Sequence, residues 1–102
     1  MGATVERGSV REGGGADVEA RLRDQGLAPR RWSNGPGERY GWHAHPEHKV
    51  LFCLEGSIVF HTREGDVELH VGDRLDLTPG TDHAATVGPD GVACIEAYTS
   101  AG

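Results

Sequence analysis

The sequence predicts an all-β domain, a sandwich or barrel, preceded by one short helix. Three observations carry this reading. Turn chemistry recurs every eight to ten residues after Gly26, and the runs between turns are short and rich in β-branched and aromatic side chains. In addition, 16 glycines accompany a hydrophobic fraction of only 36%, which fits regularly punctuated strands better than a disordered chain. At 102 residues there is material for one core and no second.

The elements follow in order. Residues 1–15 carry little hydrophobic pattern and end in Gly13-Gly14-Gly15, so they are expected to form a poorly ordered tail ahead of a single domain spanning residues 16–102. Asp17 is placed to cap a helix, Val18 and Leu22 fall on one face at i and i+4, and Gly26 supplies the stop. Turn signals then follow at Asn34-Gly35-Pro36-Gly37, Pro46-Glu47, Glu55-Gly56, Glu64-Gly65-Asp66, Gly72-Asp73, Pro79-Gly80 and Gly88-Pro89-Asp90-Gly91. Between them lie strand-like runs such as Val50-Leu51-Phe52-Cys53-Leu54, Ile58-Val59-Phe60 and Val92-Ala93-Cys94-Ile95. Alternation along regular strands places Arg39, Gly41, His43 and His45 on one face and Tyr40, Trp42 and Ala44 on the other. By the same rule Lys49, Leu51 and Cys53 oppose His48, Val50, Phe52 and Leu54. A bulge near Pro46 inverts that assignment.

Charge and composition exclude several function classes. Ten basic against sixteen acidic residues give a net charge of −6, and the largest basic cluster is the Arg30-Arg31 pair, so a nucleic-acid partner is not expected. No apolar run reaches the roughly 20 residues of a membrane span, and no signal-peptide pattern is visible; the expected location is cytoplasmic. Cys53 and Cys94 sit in apolar stretches without metal or redox spacing and read as buried small hydrophobes.

The chemistry-bearing pattern is histidine. On a strand, His43 and His45 project to one side, and His83, inside Gly80-Thr81-Asp82-His83, arrives on a turn from a distant strand. Three imidazoles meeting this way form a facial set of ligands with positions left open for water or substrate. His61 and His70 flank a turn and read as structural.

The two histidine segments resemble the two motifs of the cupin superfamily. The first runs Gly37, five residues, His43-Ala44-His45, then Lys49 and, after six intervening residues, Gly56. The second runs Gly72 to Gly80 and His83, with the usual proline displaced by one place to Pro79 and the usual trailing asparagine replaced by Val87. The resemblance implies a double-stranded jelly-roll β-barrel, a homodimer, and a divalent transition metal ion on His43, His45 and His83. Imidazole ligands suit Fe, Zn, Ni, Cu or Mn alike.

One departure stands out, because Lys49 occupies the place where cupins usually carry a glutamate ligand. An ammonium group cannot ligate and is repelled by a cation. Three arrangements follow: a three-histidine site with Lys49 turned away, a bulged strand in which His48 or Glu47 supplies a further ligand, or a metal-free barrel with Lys49 in the cavity beside an acid. Spacing favours the first. Pocket candidates are Arg39, Lys49 and Cys53; if Arg39 and Lys49 face inward, they suit a small anionic ligand such as a carboxylate. The expected function is that of a metal-dependent enzyme, of oxygenase or isomerase/lyase type, on a small organic molecule. The alternative is a non-catalytic ligand-binding or sensing module, with or without metal. Tyr40, Trp42 and Phe52 suit either a dimer contact or a cover of the N-terminal helix.

Overall fold

Two long strands organise the chain. β4 (His48–Thr62) and β7 (His83–Thr99) run antiparallel side by side, in register from His48↔Thr99 to Thr62↔His83. The computed structural model describes residues 2–11 and 14–99. Five shorter strands complete the ladder: β1 (Ala3–Glu6), β2 (Arg30–Asn34), β3 (Arg39–His43), β5 (Gly65–His70) and β6 (Arg74–Leu77). Every pairing is antiparallel.

Each long strand serves two layers. The first half of β4 and the second half of β7 pair with β6 and β2, with β1 added beyond β6; the other halves pair with β5 and β3. The strands change direction where the register shifts, between Cys53 and Ile58. Gly56 sits there at φ +71°, and a side chain on it would collide with the Gly91 carbonyl; Gly91 is itself at φ +81°. Only glycine tolerates both demands. The turn signals at Glu55-Gly56 and Gly88–Gly91 are thus corners within continuous strands, not loops between strands. The result is an all-β architecture consistent with a jelly roll. Among the described residues its ladder is not closed into a continuous barrel.

Period-2 alternation builds two cores from the same strands. Leu51, Cys53, Ile58, Phe60, Leu75, Leu77, Val87 and Cys94 fill the interior. Val50, Phe52, Ile95 and Ala97, on the opposite faces, pack against the helix α1 (Gly15–Asp24) through Val18 and Leu22. Phe52 therefore lies with the helix cluster and not at a dimer contact, whereas Trp42 is exposed, with the Arg63 guanidinium 3.9 Å from its ring centre. The helix begins three residues earlier than its pattern indicates. Asp17 lies in the first turn, where a carboxylate favours the helix dipole, and Gly14 holds the N-cap position. Gly26 ends it at φ +81°, with the Leu27 N–H bonded back to the Leu22 carbonyl. No helix is long and apolar enough to cross a membrane among the described residues.

Within residues 1–15, which pattern alone reads as a tail, Ala3–Glu6 form β1 against β6; Met1, Glu12 and Gly13 lie outside the described residues. The segment is held by Asp73 in the β5–β6 turn. The Asp73 carboxylate is buried and accepts bonds from the Arg7 guanidinium at 2.6 Å, the His70 N–H at 2.9 Å and the Gly8 N–H at 3.2 Å. Such anchoring leaves no signature in a polar, glycine-containing lead sequence.

Burial alone would raise the Asp73 pKa, but the donors from His70, Arg7 and Gly8 outweigh it and hold the carboxyl below its ordinary value of 3.8. The unfolded chain therefore takes up this proton first, so the contribution to stability is complete above about pH 4 and is lost as pH falls through the folded-state value. Asp73→Ala is expected to lower stability in urea by about 1–3 kcal/mol at pH 7 and to flatten the decline of stability below pH 4. Unchanged curves at both pH values would show that the anchor contributes nothing.

Candidate metal centre

β3 delivers the first imidazole through an irregularity in its pairing. Arg39 pairs with Thr86 and Tyr40 with Ala85, yet the next partner pair is His43 with His83, so β3 spends three residues where β7 spends two. The extra residue is a bulge, and it reverses side-chain parity between Tyr40 and His43. His45 follows in the loop, whose position is held by the Gly80 N–H donating to the His45 carbonyl at 2.8 Å. His83 opens β7 and is buried.

The three rings converge. Centroid separations are 4.9 Å for His43–His45, 4.3 Å for His43–His83 and 5.3 Å for His45–His83, and one donor nitrogen from each lies within 4.8 Å of the others. Bonds to backbone carbonyls orient two of them. His43 Nδ1 faces the Gly41 carbonyl at 2.7 Å and His83 Nδ1 faces the Thr81 carbonyl at 2.9 Å. A carbonyl can only accept, so each Nδ1 carries the hydrogen and each Nε2 presents its lone pair. The buried Nε2 atoms of His45 and His83 have no hydrogen-bond partner. Orphaned buried acceptors are costly unless something binds them, and a divalent transition metal fits that deficit.

Electrostatics favour the ligating form of His45 and His83. Burial lowers the pKa of both His45 and His83; the charges of Lys49 and His43 lower His45 further, and those of His43 and Lys49 do the same for His83. Neutral imidazole is the metal-binding form.

The rings line one wall of a cavity of about 220 Å³. Ile58, Phe60 and Ala85 make its apolar side, and Arg30, Tyr40, Lys49, Glu96 and Tyr98 its polar side. Lys49 and Glu96 are both buried, with Nζ 3.0 Å from Oε1, and the same oxygen accepts the Trp32 indole N–H at 2.8 Å. Tyr98 meets His45 edge-on at 5.3 Å. Tyr40 donates from its hydroxyl to Asn34 Oδ1. Burial, with the nearby carboxylates, raises the pKa of Tyr40 and of Tyr98, so both remain protonated at neutral pH.

Several expected site residues lie elsewhere. Arg39 does not line this cavity; the bulge leaves it in a groove on the outer face beside Gly41, Trp42 and His61. Cys53 lies in the interior core, its Sγ directed at the carbonyls of Glu55 and Gly56. His48 bonds Asp76 at 2.9 Å, and Glu47 is exposed at the bend before β4; neither belongs to the three-ring cluster. His61 bonds Asp66 and Thr86, and His70 pairs with Glu68. Lys49 is not turned away, as spacing favours, but faces the cavity against Glu96. Sequence reasoning omits Arg30, Trp32, Tyr40, Glu96 and Tyr98. A signal for Glu96 existed: it is a carboxylate in the apolar alternation Cys94, Glu96, Tyr98 of a core strand.

The cupin domain family matches residues 31–95, more than half of the sequence. The chain belongs to the cupin family. No curated protein matches it. Among solved structures, one of the DMSP lyases RdDddP and RnDddQII is 29% identical to this cupin with a TM-score of 0.69, covering 76% of this chain and 40% of that chain. DMSP lyase DddQ from Ruegeria pomeroyi DSS-3 is 23% identical with a TM-score of 0.67, covering 72% and 38%, a likeness of fold. An RmlC-like cupin from Shewanella frigidimarina NCIMB 400 is 25% identical with a TM-score of 0.63, covering 71% and 64%. This cupin thus spans about two fifths of the two lyase structures it resembles.

A buried ion pair is most sensitive to losing one partner. Glu96→Ala strands the Lys49 ammonium and is expected to destabilise this cupin by roughly 3–5 kcal/mol in urea unfolding, whereas the double change Lys49→Met with Glu96→Leu recovers most of that loss. A double variant as unstable as the single one would refute the pairing as the cause.

Proposed function

We propose that this cupin is a metal-dependent enzyme of lyase type acting on a small organic carboxylate, with the ion held by His43, His45 and His83. The observation that carries the reading is the pair of orphaned buried Nε2 atoms in a cavity whose polar wall holds Arg30 and Lys49. Arg30 and Lys49 outnumber Glu96 on the polar wall, so an anion entering the cavity is attracted. Arg30 takes the anion-orienting part that sequence parity assigns to Arg39. A bound divalent ion would supply Lewis-acid polarisation of a substrate oxygen. Lys49, fixed by Glu96, places its Nζ beside the substrate space, and the Tyr98 ring borders it, while the Tyr40 hydroxyl is committed to Asn34. Ile58 and Phe60 limit water on the far side. The likeness to the DMSP lyase structure at 29% identity favours elimination over oxygenation among the reactions this donor set supports. The buried Lys49–Glu96 pair beside the rings supports a second reading, a ligand-binding or sensing barrel without catalysis.

Metal analysis after reconstitution with Fe, Zn, Ni, Cu or Mn is expected to give one ion per chain, lost in His83→Ala while the fold persists by circular dichroism. Affinity should fall as pH drops below about 6.5, because protons then compete for the imidazoles. NMR of the loaded protein with small carboxylates, DMSP among them, should reveal an alkene product. Metal and carboxylate binding without any product would favour the sensing module, and no metal under any loading condition would remove the enzyme reading.

A further inference from the structure

The two cysteines stand outside this chemistry and face one another. Cys53 on β4 and Cys94 on β7 are directly registered partners, both are free thiols, and both are buried in the interior core. In an antiparallel sheet the N–H and C=O of one residue point toward the same neighbour. Those of Cys53 are engaged away from β7: its N–H donates to the Asp73 carbonyl at 3.0 Å, and its carbonyl accepts from the Gly72 N–H at 2.9 Å. Toward Cys94 it therefore forms a non-hydrogen-bonded pair, the kind whose Cα atoms approach to about 4.5 Å with side chains closest together. That typical spacing falls inside the roughly 4.4–6.8 Å that a disulfide spans, so the pairing is of a kind that admits a cross-strand link.

We propose that Cys53 and Cys94 are a redox-modification site: a small peroxide converts them into a reversible cross-strand disulfide joining the two long strands one step along the β7 face from Glu96. The thiols are not equivalent. Cys53, and not Cys94, borders a second cavity with Val10, Gly15, Arg31 and Leu54, which makes Cys53 the attacking sulfur; the contact between the two thiols acts the same way, holding the Cys53 pKa down and the Cys94 pKa up. Its sulfur bonds one oxygen of hydrogen peroxide, the O–O bond breaks, and the thiol proton leaves with the departing oxygen as water, giving a sulfenic acid at Cys53. The Cys94 sulfur then attacks that sulfur, the S–O bond breaks, and the Cys94 proton leaves with the hydroxyl as a second water. The two thiols together lose two electrons, which the peroxide gains. Both side chains are buried, so a small neutral oxidant is favoured over a disulfide as large as oxidised glutathione.

Metal-free, folded protein treated with hydrogen peroxide and then denatured is expected to lose both titratable thiols, to yield one intrachain linked peptide pair by mass spectrometry, and to regain both thiols with dithiothreitol. Oxidised glutathione under the same conditions should leave both thiols intact. In Cys94→Ala the remaining Cys53 should stop at a sulfenic acid that dimedone traps, and in Cys53→Ala the remaining Cys94 should stay reduced. Two unreacted thiols in the peroxide-treated wild type, oxidation of Cys53 beyond the sulfenic stage without a link, or links formed only between chains would each overturn the proposal.

Discussion

β4 and β7 can share two layers only because their backbones touch at the corner. Gly56 lies so close to the Gly91 carbonyl that it admits no side chain, Gly91 is itself tight against the Asn34 carbonyl, and both take a positive φ. From this one contact follow the two facing halves, the interior core between them and the outer surface that α1 covers. It also places the start of β7, and with it His83, opposite the end of β3 and His43. A corner displaced by one residue would turn every inward side chain of the affected half outward.

The cavity inherits its character from that alternation. Lys49 on β4 and Glu96 and Tyr98 on β7 are inward residues on the same faces as Leu51 and Cys94, so charged groups occupy positions that continue an apolar core. They are tolerable there because each is partnered: Lys49 with Glu96, and Glu96 with Trp32. The imidazoles are the exception. Their Nδ1 atoms are satisfied by neighbouring carbonyls for His43 and His83, while buried Nε2 atoms remain open, which is the arrangement expected of groups held ready for a ligand.

Where sequence reading fell short, the cause is local. Alternation from Arg39 to His45 holds on a regular strand, but the extra residue between Tyr40 and His43 sends Tyr40 into the cavity and Arg39 out of it. Bulges leave no reliable mark in one sequence, and here Gly41 is the sole hint. The lead segment looked unstructured because its hold on the fold comes from Asp73, more than sixty residues away. Glu55-Gly56 and Gly88–Gly91 carry the same residues whether a chain reverses or bends, so loops and corners are indistinguishable until partners are known.

By itself the sequence determined the all-β class, the helix face carrying Val18 and Leu22, that Lys49, Leu51 and Cys53 share one strand face, and the three histidines as the chemically distinctive set. These are consequences of periodicity, turn chemistry and spacing, which are local. Only the tertiary structure decided that Lys49 faces Glu96, that Arg30 and Tyr40 line the cavity in place of Arg39, and that Cys53 stands directly across from Cys94. Each of those depends on register between strands distant in the chain, and register is set by long-range packing that no local pattern encodes.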